Sequence, residues 1–302
     1  MVTLKKYLSL IKFSHTVFAL PFAFIGFFLG FVWKPQTDFL KSYPRESEDI
    51  LQQPAWIKFS LVLMCMVFAR SAAMAFNRYL DRHFDAKNPR TAVREIPSGE
   101  ISAQNAFMFT VVSCILFIIC TWYINALCFY LSPVALFIIL FYSYTKRFTA
   151  LCHLVLGVGL SLAPIGAYLA VTGEFAVLPI LFSFTVLFWV SGFDIIYALQ
   201  DEEFDKSQNL RSIPAATGKK NALLISRTLH IFSAVCVIAA GVYGHFGVLF
   251  WIGTAVFVGM LLFQQSIVKP DDLRRVNVAF MTANGIASVV FSIFVLLDLF
   301  LN

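Results

Sequence analysis

The sequence predicts an all-α integral membrane protein, a bundle of about nine transmembrane helices, and three observations support this. Hydrophobic residues make up 59% of the 302-residue chain and charged residues 13%, against about half and about a quarter in soluble domains. Nine apolar stretches approach the roughly 20 residues that a helix needs to cross a bilayer. Lysine and arginine are concentrated in alternate connections, as in cytoplasmic loops. A water-soluble enzyme, a disordered chain and a β-barrel are excluded.

The predicted spans follow one another along the whole chain, which we interpret as one domain, 1–302. They are approximately 14–33, 55–77, 103–123, 125–143, 150–172, 176–199, 222–243, 246–267 and 277–300. Only Tyr123 to Asn125 separate the third from the fourth. The basic residues place the N-terminus and the loops at about 78–102 and 200–221 in the cytoplasm, in a multi-pass protein of the inner membrane. The net charge of +6 reflects the same bias, so we expect no nucleic-acid partner and no obligate protein partner.

Polar side chains follow the second span at helical spacing. Asn77, Asp81 and Asp85 stand four residues apart, so they share one face of a helix. Arg70 lies on that face seven residues before Asn77, inside the apolar part. A charged group at that depth is costly unless it is paired or hydrated. We therefore expect this face to line the bundle interior or a polar cavity.

A second polar set follows the sixth span. Its members at helical spacing are Asp194, Tyr197, Asp201 and Asp205. Asp194 lies within the apolar stretch, where a solvated loop does not explain an acid. Glu202 and Glu203 are expected to face solvent instead.

The two polar sets resemble each other. Asp81 and Asp85 align with Asp201 and Asp205 at a shift of 120 residues, and an N-x-R pattern follows each pair. This predicts an internal four-helix repeat in which spans one to four correspond to spans five to eight. Membrane proteins often place a binding site where such repeats meet.

The residue types in these sets indicate a particular ligand chemistry. Carboxylate and amide oxygens suit a hard cation, and Mg²⁺ is commonly bound by a few carboxylates together with phosphates. Basic side chains suit the phosphates themselves, and those near the acids are Arg70, Arg90, Arg94, Lys146, Arg147 and Arg211. The combination predicts a diphosphate site at the cytoplasmic face of an apolar bundle rich in phenylalanine. A lipid diphosphate, with its chain between the helices, fits such a site.

These motifs resemble those of the UbiA superfamily of intramembrane prenyltransferases. The runs that carry the resemblance are NRYLDRHFD, RTAVREIPSG, YSYTKRFT, DIIYALQDEEFD and LRSIPAATG. The first run and FSHTVFALPFA near the start are most similar to the branch of 4-hydroxybenzoate polyprenyltransferases. Arg78 stands where many members have aspartate, and Asn209 where glycine is common. Because asparagine tolerates left-handed backbone, we expect the loop at Asn209 to keep its shape.

The resemblance implies Mg²⁺-dependent transfer of a polyprenyl group from a polyprenyl diphosphate to an aromatic acid in respiratory quinone biosynthesis. The acceptor is 4-hydroxybenzoate or, as in some similar enzymes, a dihydroxynaphthoate. The implied metal ligands are Asn77, Asp81, Asp85, Asp201 and Asp205. The implied diphosphate-binding residues are Arg70, Arg90, Lys146, Arg147 and Arg211.

The resemblance also suggests roles at the reacting carbon. Tyr142 and Tyr197 are candidates to stabilise an allylic cation through their aromatic faces. Asp194 would orient the acceptor or take its ring proton, and Arg94 would reach the acceptor carboxylate or shape its loop. Three simpler interpretations stay open: Tyr142 as a membrane-interface aromatic, Arg147 as a positive-inside charge, and His83 as a solvent-facing residue that binds no ligand.

Two other classes of membrane protein also carry acids within their spans. A transporter fits the predicted repeat, but carriers bind substrate near the membrane midplane, whereas these acids cluster at one face. A CDP-alcohol phosphotransferase would carry a D-G-x-x-A-R run, which the sequence lacks.

Overall fold

The computed structural model of the protein describes residues 2–11, 18–33 and 53–302, and this part of the chain is helical, without a β-strand. The α-helices are α1 Val2–Leu10, α2 Leu20–Val32, α3 Ala55–Lys87, α4 Ala103–Ile124, α5 Ala126–Thr145, α6 Cys152–Thr172, α7 Val177–Ala198, α8 Glu202–Ser207, α9 Ile213–Tyr243, α10 Val248–Ile267 and α11 Asn284–Leu301. A 3₁₀ turn at Leu199–Asp201 joins α7 to α8, and a π-helical segment, Val278–Ala283, precedes α11. Within the described residues, eight segments are long and apolar enough to cross a membrane, and α2 is a shorter apolar helix. The predicted all-α membrane bundle is confirmed.

The predicted break between the third and fourth spans is confirmed, and it lies at Asn125. Its backbone is extended, with φ −169° and ψ 166°. Its side-chain oxygen accepts a hydrogen bond from the amide of Cys128 at 2.8 Å, which caps α5. Its side-chain nitrogen donates to the carbonyl of Leu169 on α6 at 2.8 Å. The predicted first span and the loop at 34–54 lie partly outside the described residues.

Two helices are longer than the spans predicted for them. The 33 residues of α3 extend for about 50 Å, beyond the roughly 30 Å of bilayer hydrocarbon. The last turns of α3 therefore carry the first aspartate motif beyond the apolar layer. Helix α9 begins at Ile213 rather than at 222, and Gly218, with φ +77°, interrupts its first turns.

One end of the bundle carries both aspartate motifs, and we call it the motif end. The segments 88–102, 146–151 and 199–212 meet there: Arg90 contacts Asp201, and the Arg211 amide donates to the Lys146 carbonyl at 2.7 Å. The helices that lead into the two motifs each pack against the next long helix, α3 on α4 and α7 on α9. The internal repeat stays a prediction that this pairing supports.

A cluster of aromatic side chains packs α2 against helices of the second half of the bundle. Its fully buried members are Phe22, Phe182, Trp189, Phe250, Phe257 and Phe291. The indole nitrogen of Trp189 on α7 donates to Asn284 Oδ1 at 2.9 Å, at the start of α11. Without water in the hydrocarbon layer, such interhelical hydrogen bonds satisfy the polar groups and fix the helices against one another.

A buried carboxylate caps α10 at the end opposite the motifs. Asp298 on α11 is 2% exposed, and it accepts hydrogen bonds from the amides of Gly247 at 2.8 Å and Phe250 at 3.2 Å. The first amides of a helix lack partners within the helix, and a negative charge is favourable there. This acid within the ninth predicted span therefore stabilises the fold.

Helix α2 approaches α6 closely at a glycine, which generates a stability prediction. A Cβ on Gly26 would lie 2.0 Å from the carbonyl oxygen of Pro164, whereas a Cβ on Gly259 in α10 would meet no atom within 4 Å. We expect G26A to lose about 1–3 kcal/mol of stability through overpacking. Thermal unfolding of the purified protein in detergent measures this, with G259A as the control. Equal unfolding temperatures for the two variants would contradict the close packing of α2 on α6.

Candidate active site

The first aspartate motif lies on the last turns of α3. The side-chain nitrogen of Asn77 donates to Asp81 Oδ2 at 3.1 Å, as their four-residue spacing on one helix face predicts. Asp85, one turn further, is 6% exposed. His83, between the aspartates, is exposed and so points away from the motif face.

The second motif does not lie on one continuous helix. Asp194 and Tyr197 belong to α7, Asp201 ends the 3₁₀ turn, and Asp205 belongs to α8. A 3₁₀ turn advances each residue further around the axis than an α-helix does, which turns Asp205 away from the line of the others. Asp205 is fully buried, and Ser212 donates a hydrogen bond to its Oδ2 at 2.7 Å.

Four of the five motif aspartates, all except Asp194, lie against a lysine or arginine side chain, and we call these four ion pairs the ion-pair cluster. Its pairs are Asp81–Arg147 at 3.0 Å, Asp85–Arg94 at 2.6 Å, Asp201–Arg90 at 2.5 Å and Asp205–Lys146 at 2.7 Å. The sequence assigned the acids to a metal and the bases to the diphosphate or the acceptor. In this structure the two sets neutralise each other.

Two adjacent residues, Lys146 and Arg147, connect the two motifs. Lys146 pairs with Asp205 of the second motif, whereas Arg147 pairs with Asp81 of the first. Arg147 also donates to the carbonyls of Leu80 at 3.1 Å and Ser143 at 2.8 Å, which fixes its side chain. Burial opposes the charge of Lys146, but the Asp205 carboxylate outweighs it and raises the pKa of the ammonium. These contacts place Arg147 in the ion-pair cluster, and its role in diphosphate binding stays a prediction.

Arg90 and Asn88 carry the first loop to the second motif. Arg90 donates to both carboxylate oxygens of Asp201 and, at 3.0 Å, to the hydroxyl of Tyr197. Asn88, to which the sequence assigned no role, donates to Asp201 Oδ1 at 3.3 Å. Burial opposes the charge of Arg90, but Asp201 and Tyr197 outweigh it and raise its pKa. Beside them, Lys87 donates to Gln208 at 3.3 Å, so the two loops form one polar surface.

Asp85 is enclosed by two guanidinium groups. Arg94 Nη1 lies 2.6 Å from one carboxylate oxygen, and Arg78 Nη1 lies 4.0 Å from the other. Arg78 is the residue that replaces an aspartate common in similar sequences, and it is 4% exposed. The contact of Arg94 agrees with the predicted shaping of the loop. The acceptor contact of Arg94 stays a prediction.

Three predicted site residues, Arg211, Arg70 and Tyr142, are not members of the four ion pairs of the ion-pair cluster. Arg211 is exposed, and its side chain donates to the carbonyl of Phe148 at 3.0 Å, which joins two loops. Arg70 lies eleven residues before Asp81 on α3, about 16 Å along the axis. Tyr142 is half-buried near the C-terminal end of α5. Their predicted roles in diphosphate binding and catalysis stay predictions.

The predicted solvent-facing position of Glu202 is wrong. Glu202 is 7% exposed and pairs with Lys206 at 2.6 Å and Lys219 at 3.9 Å. The 3₁₀ turn before α8 rotates this side chain inward, whereas Glu203 is exposed as predicted.

His153 was missed, although it contacts a predicted catalytic residue. Its Nδ1 lies 2.7 Å from Asp194 Oδ2. The signal was available, because His153 is an ionisable residue inside the predicted span 150–172, where such residues are uncommon. Its partner Asp194 lies 41 positions away in the sequence, so spacing alone does not join them.

The donor set of the motifs fits Mg²⁺ together with a diphosphate. Among the described residues, no three His, Cys, Asp or Glu side chains come close enough to hold a metal by themselves. Mg²⁺ needs only one or two protein carboxylates when phosphate oxygens and water complete its ligands. Asp81 and Asp201 keep 27% and 13% side-chain exposure, more than Asp85 and Asp205, so they are the more accessible acids of the four ion pairs.

Comparison with known proteins gives consistent results. The sequence profile described as the UbiA prenyltransferase family matches residues 50–286. A 4-hydroxybenzoate octaprenyltransferase from Tolumonas auensis is 29% identical over 237 residues, which cover 78% of this chain and 82% of the relative. The apo structure of a UbiA homolog from Aeropyrum pernix has a TM-score of 0.79 at 28% identity, covering 94% of this chain and 98% of that one. A UbiA homolog from Archaeoglobus fulgidus bound to GPP and Mg²⁺ shares the fold, with a TM-score of 0.70 at 21% identity, covering 97% and 99%.

The geometry predicts that inorganic diphosphate with Mg²⁺ stabilises the protein through Lys146. A ligand that binds only the folded state adds about 2.7 kcal/mol at a hundredfold excess over its Kd. We expect K146M to lose most of this stabilisation because the ammonium is then absent. Thermal unfolding with and without Mg²⁺-diphosphate measures the effect. K269M, which changes an exposed lysine outside the ion-pair cluster, is the control. Undiminished stabilisation of K146M would contradict the assignment.

Proposed function

Because the chain belongs to the UbiA prenyltransferase family, we propose that it transfers a polyprenyl group from a polyprenyl diphosphate to an aromatic acid of the 4-hydroxybenzoate type. We further propose that the reaction depends on Mg²⁺ and serves respiratory quinone biosynthesis. The observation that carries the proposal is the ion-pair cluster, in which acids suited to Mg²⁺ alternate with bases suited to phosphate at one end of an apolar bundle.

The relatives support this substrate pair. The similar proteins from Tolumonas auensis and Nitrosospira multiformis are 4-hydroxybenzoate octaprenyltransferases. The Archaeoglobus fulgidus homologs, which share the fold, were solved with DMAPP or GPP and Mg²⁺. A dihydroxynaphthoate acceptor, which would belong to menaquinone synthesis, presents the same functional groups on an aromatic ring: a phenolic hydroxyl and a carboxylate.

Binding of the diphosphate requires the ion pairs to exchange partners. Asn77 with Asp81 on one side, and Asp201 on the other, would hold Mg²⁺, which supplies positive charge against the departing diphosphate. Asp85 and Asp205 are the further ligands implied, but both are nearly unexposed, so they would have to leave their present partners. Lys146 and Arg147 would then bind diphosphate oxygens in place of carboxylates. Each charge is compensated before and after binding.

The residues beside the cluster suit the substitution that follows. The allylic C–O bond breaks with its electrons leaving on diphosphate, a ring carbon of the acceptor bonds to the prenyl carbon, and that ring carbon then loses its proton. Tyr197 already presents its ring to a cation, since Arg90 Cζ lies 5.4 Å from the ring centroid. Asp194, one turn before Tyr197, would bind the acceptor or accept the proton. The joined loops would exclude water, which otherwise traps the cation as an alcohol.

Product formation tests the proposal directly. Membranes that contain the protein are incubated with a long-chain prenyl diphosphate, Mg²⁺ and either 4-hydroxybenzoate or a dihydroxynaphthoate, with and without EDTA, and are analysed by mass spectrometry. We expect a prenylated product with one acceptor, which EDTA abolishes.

Matched variants sharpen the assay. D201N should form no product because its motif loses an accessible carboxylate, whereas E203Q, at an exposed neighbouring position, should retain activity. A folded wild-type protein that prenylates neither acceptor would overturn the proposal, and product in EDTA would overturn its Mg²⁺ dependence.

A further inference from the structure

A buried histidine joins three helices beside the second motif. His153, in the first turn of α6, contacts Asp194 of α7 at 2.7 Å through Nδ1. Its Nε2 accepts a hydrogen bond from the amide of Ile213, the first residue of α9, at 3.4 Å. The side chains of His153 and Asp194 are 4% and 18% exposed. The histidine is therefore enclosed, while the carboxylate stays partly exposed.

The contacts of His153 assign a role to each ring nitrogen. Nδ1 donates to the carboxylate of Asp194, whereas Nε2 faces the amide of Ile213. A carboxylate accepts hydrogen bonds, so Asp194 suits a hydroxyl donor and disfavours a second carboxylate nearby.

We infer that His153 is a positioning residue for the aromatic acceptor: it orients Asp194 so that this carboxylate accepts a hydrogen bond from the acceptor's phenolic hydroxyl. This inference rests on the proposed function. The acceptor's own carboxylate then points away from Asp194, toward the basic side chains of the motif end. Tyr197, one turn further along α7, is bonded to Arg90, so the hydroxyl end lies on the bundle side of the ion-pair cluster. The selected acceptor class is a phenol, and the hydroxyl is the recognised group.

Two variants of His153 separate its two contacts. Asparagine places its amide nitrogen near the position of Nδ1, so H153N keeps a donor for Asp194 and loses the contact to Ile213. Glutamine places its amide near Nε2, so H153Q keeps the contact to Ile213 and loses the donor. Both variants are polar and similar in size.

In the full-length enzyme with Mg²⁺, we expect H153Q to raise the acceptor KM about tenfold, as loss of a hydrogen bond to a charged group implies. H153N should remain within about threefold of wild type, less than the cost of that bond.

The KM for prenyl diphosphate separates positioning from a general structural role. It should stay near the wild-type value in both variants, because neither contact of His153 involves the ion-pair cluster. H230N, which changes a buried histidine of α9 bonded to Gln265, should leave both KM values unchanged. Because His153 acts through Asp194, H153Q should add nothing to the acceptor KM of D194N.

Several results would overturn the inference. Equal acceptor KM values for H153N and H153Q would do so, as would parallel rises in both substrates' KM values or full additivity of H153Q with D194N. A wild-type enzyme that forms no prenylated phenol would overturn the proposed function, and this inference with it. Normal wild-type turnover with an unchanged H153Q would overturn the inference alone.

Discussion

The contacts of Lys146 and Arg147 hold the two halves of the site together. One residue pairs with the second motif and the next with the first, so a short connection between α5 and α6 fixes the separation of both aspartate sets. The backbone adds to this, because the Lys146 carbonyl accepts the Arg211 amide at 2.7 Å. If this connection moved, Asp81 of α3 would lose Arg147 and the fully buried Asp205 of α8 would lose Lys146. A buried charge without a partner is costly at low dielectric.

Charge compensation also explains how one arrangement serves two states. Without ligand, acids and bases of the ion-pair cluster neutralise each other. Under the proposed function, the same acids would face the metal and the same bases the phosphates of a Mg²⁺-diphosphate, so each charge would keep a partner in both states. The loops at the motif end would rearrange to admit the ligand. Their mutual contacts through Arg90 and Lys87 provide the polar surface that would close again over it.

The sequence predicted the fold better than the contacts between the candidate site residues. Hydropathy and helical spacing identify the spans and place Asn77 beside Asp81, because both signals are local. The left-handed backbone expected at Asn209 is confirmed, with φ 55°. The 3₁₀ turn that buries Glu202 leaves no signature in composition, and the His153–Asp194 contact depends on tertiary packing. Asp298 shows that an acid within a span is not always a site residue, since it caps a helix.

A structure with substrate analogue bound tests the exchange of partners most directly. The full-length protein in lipid nanodiscs would be solved by cryo-electron microscopy with Mg²⁺ and an unreactive prenyl thiolodiphosphate. We expect Arg147 and Arg90 to separate from Asp81 and Asp201 beyond the roughly 4 Å of an ion pair, with metal and diphosphate between the two motifs. Four intact ion pairs, with the diphosphate bound elsewhere on the protein, would contradict it.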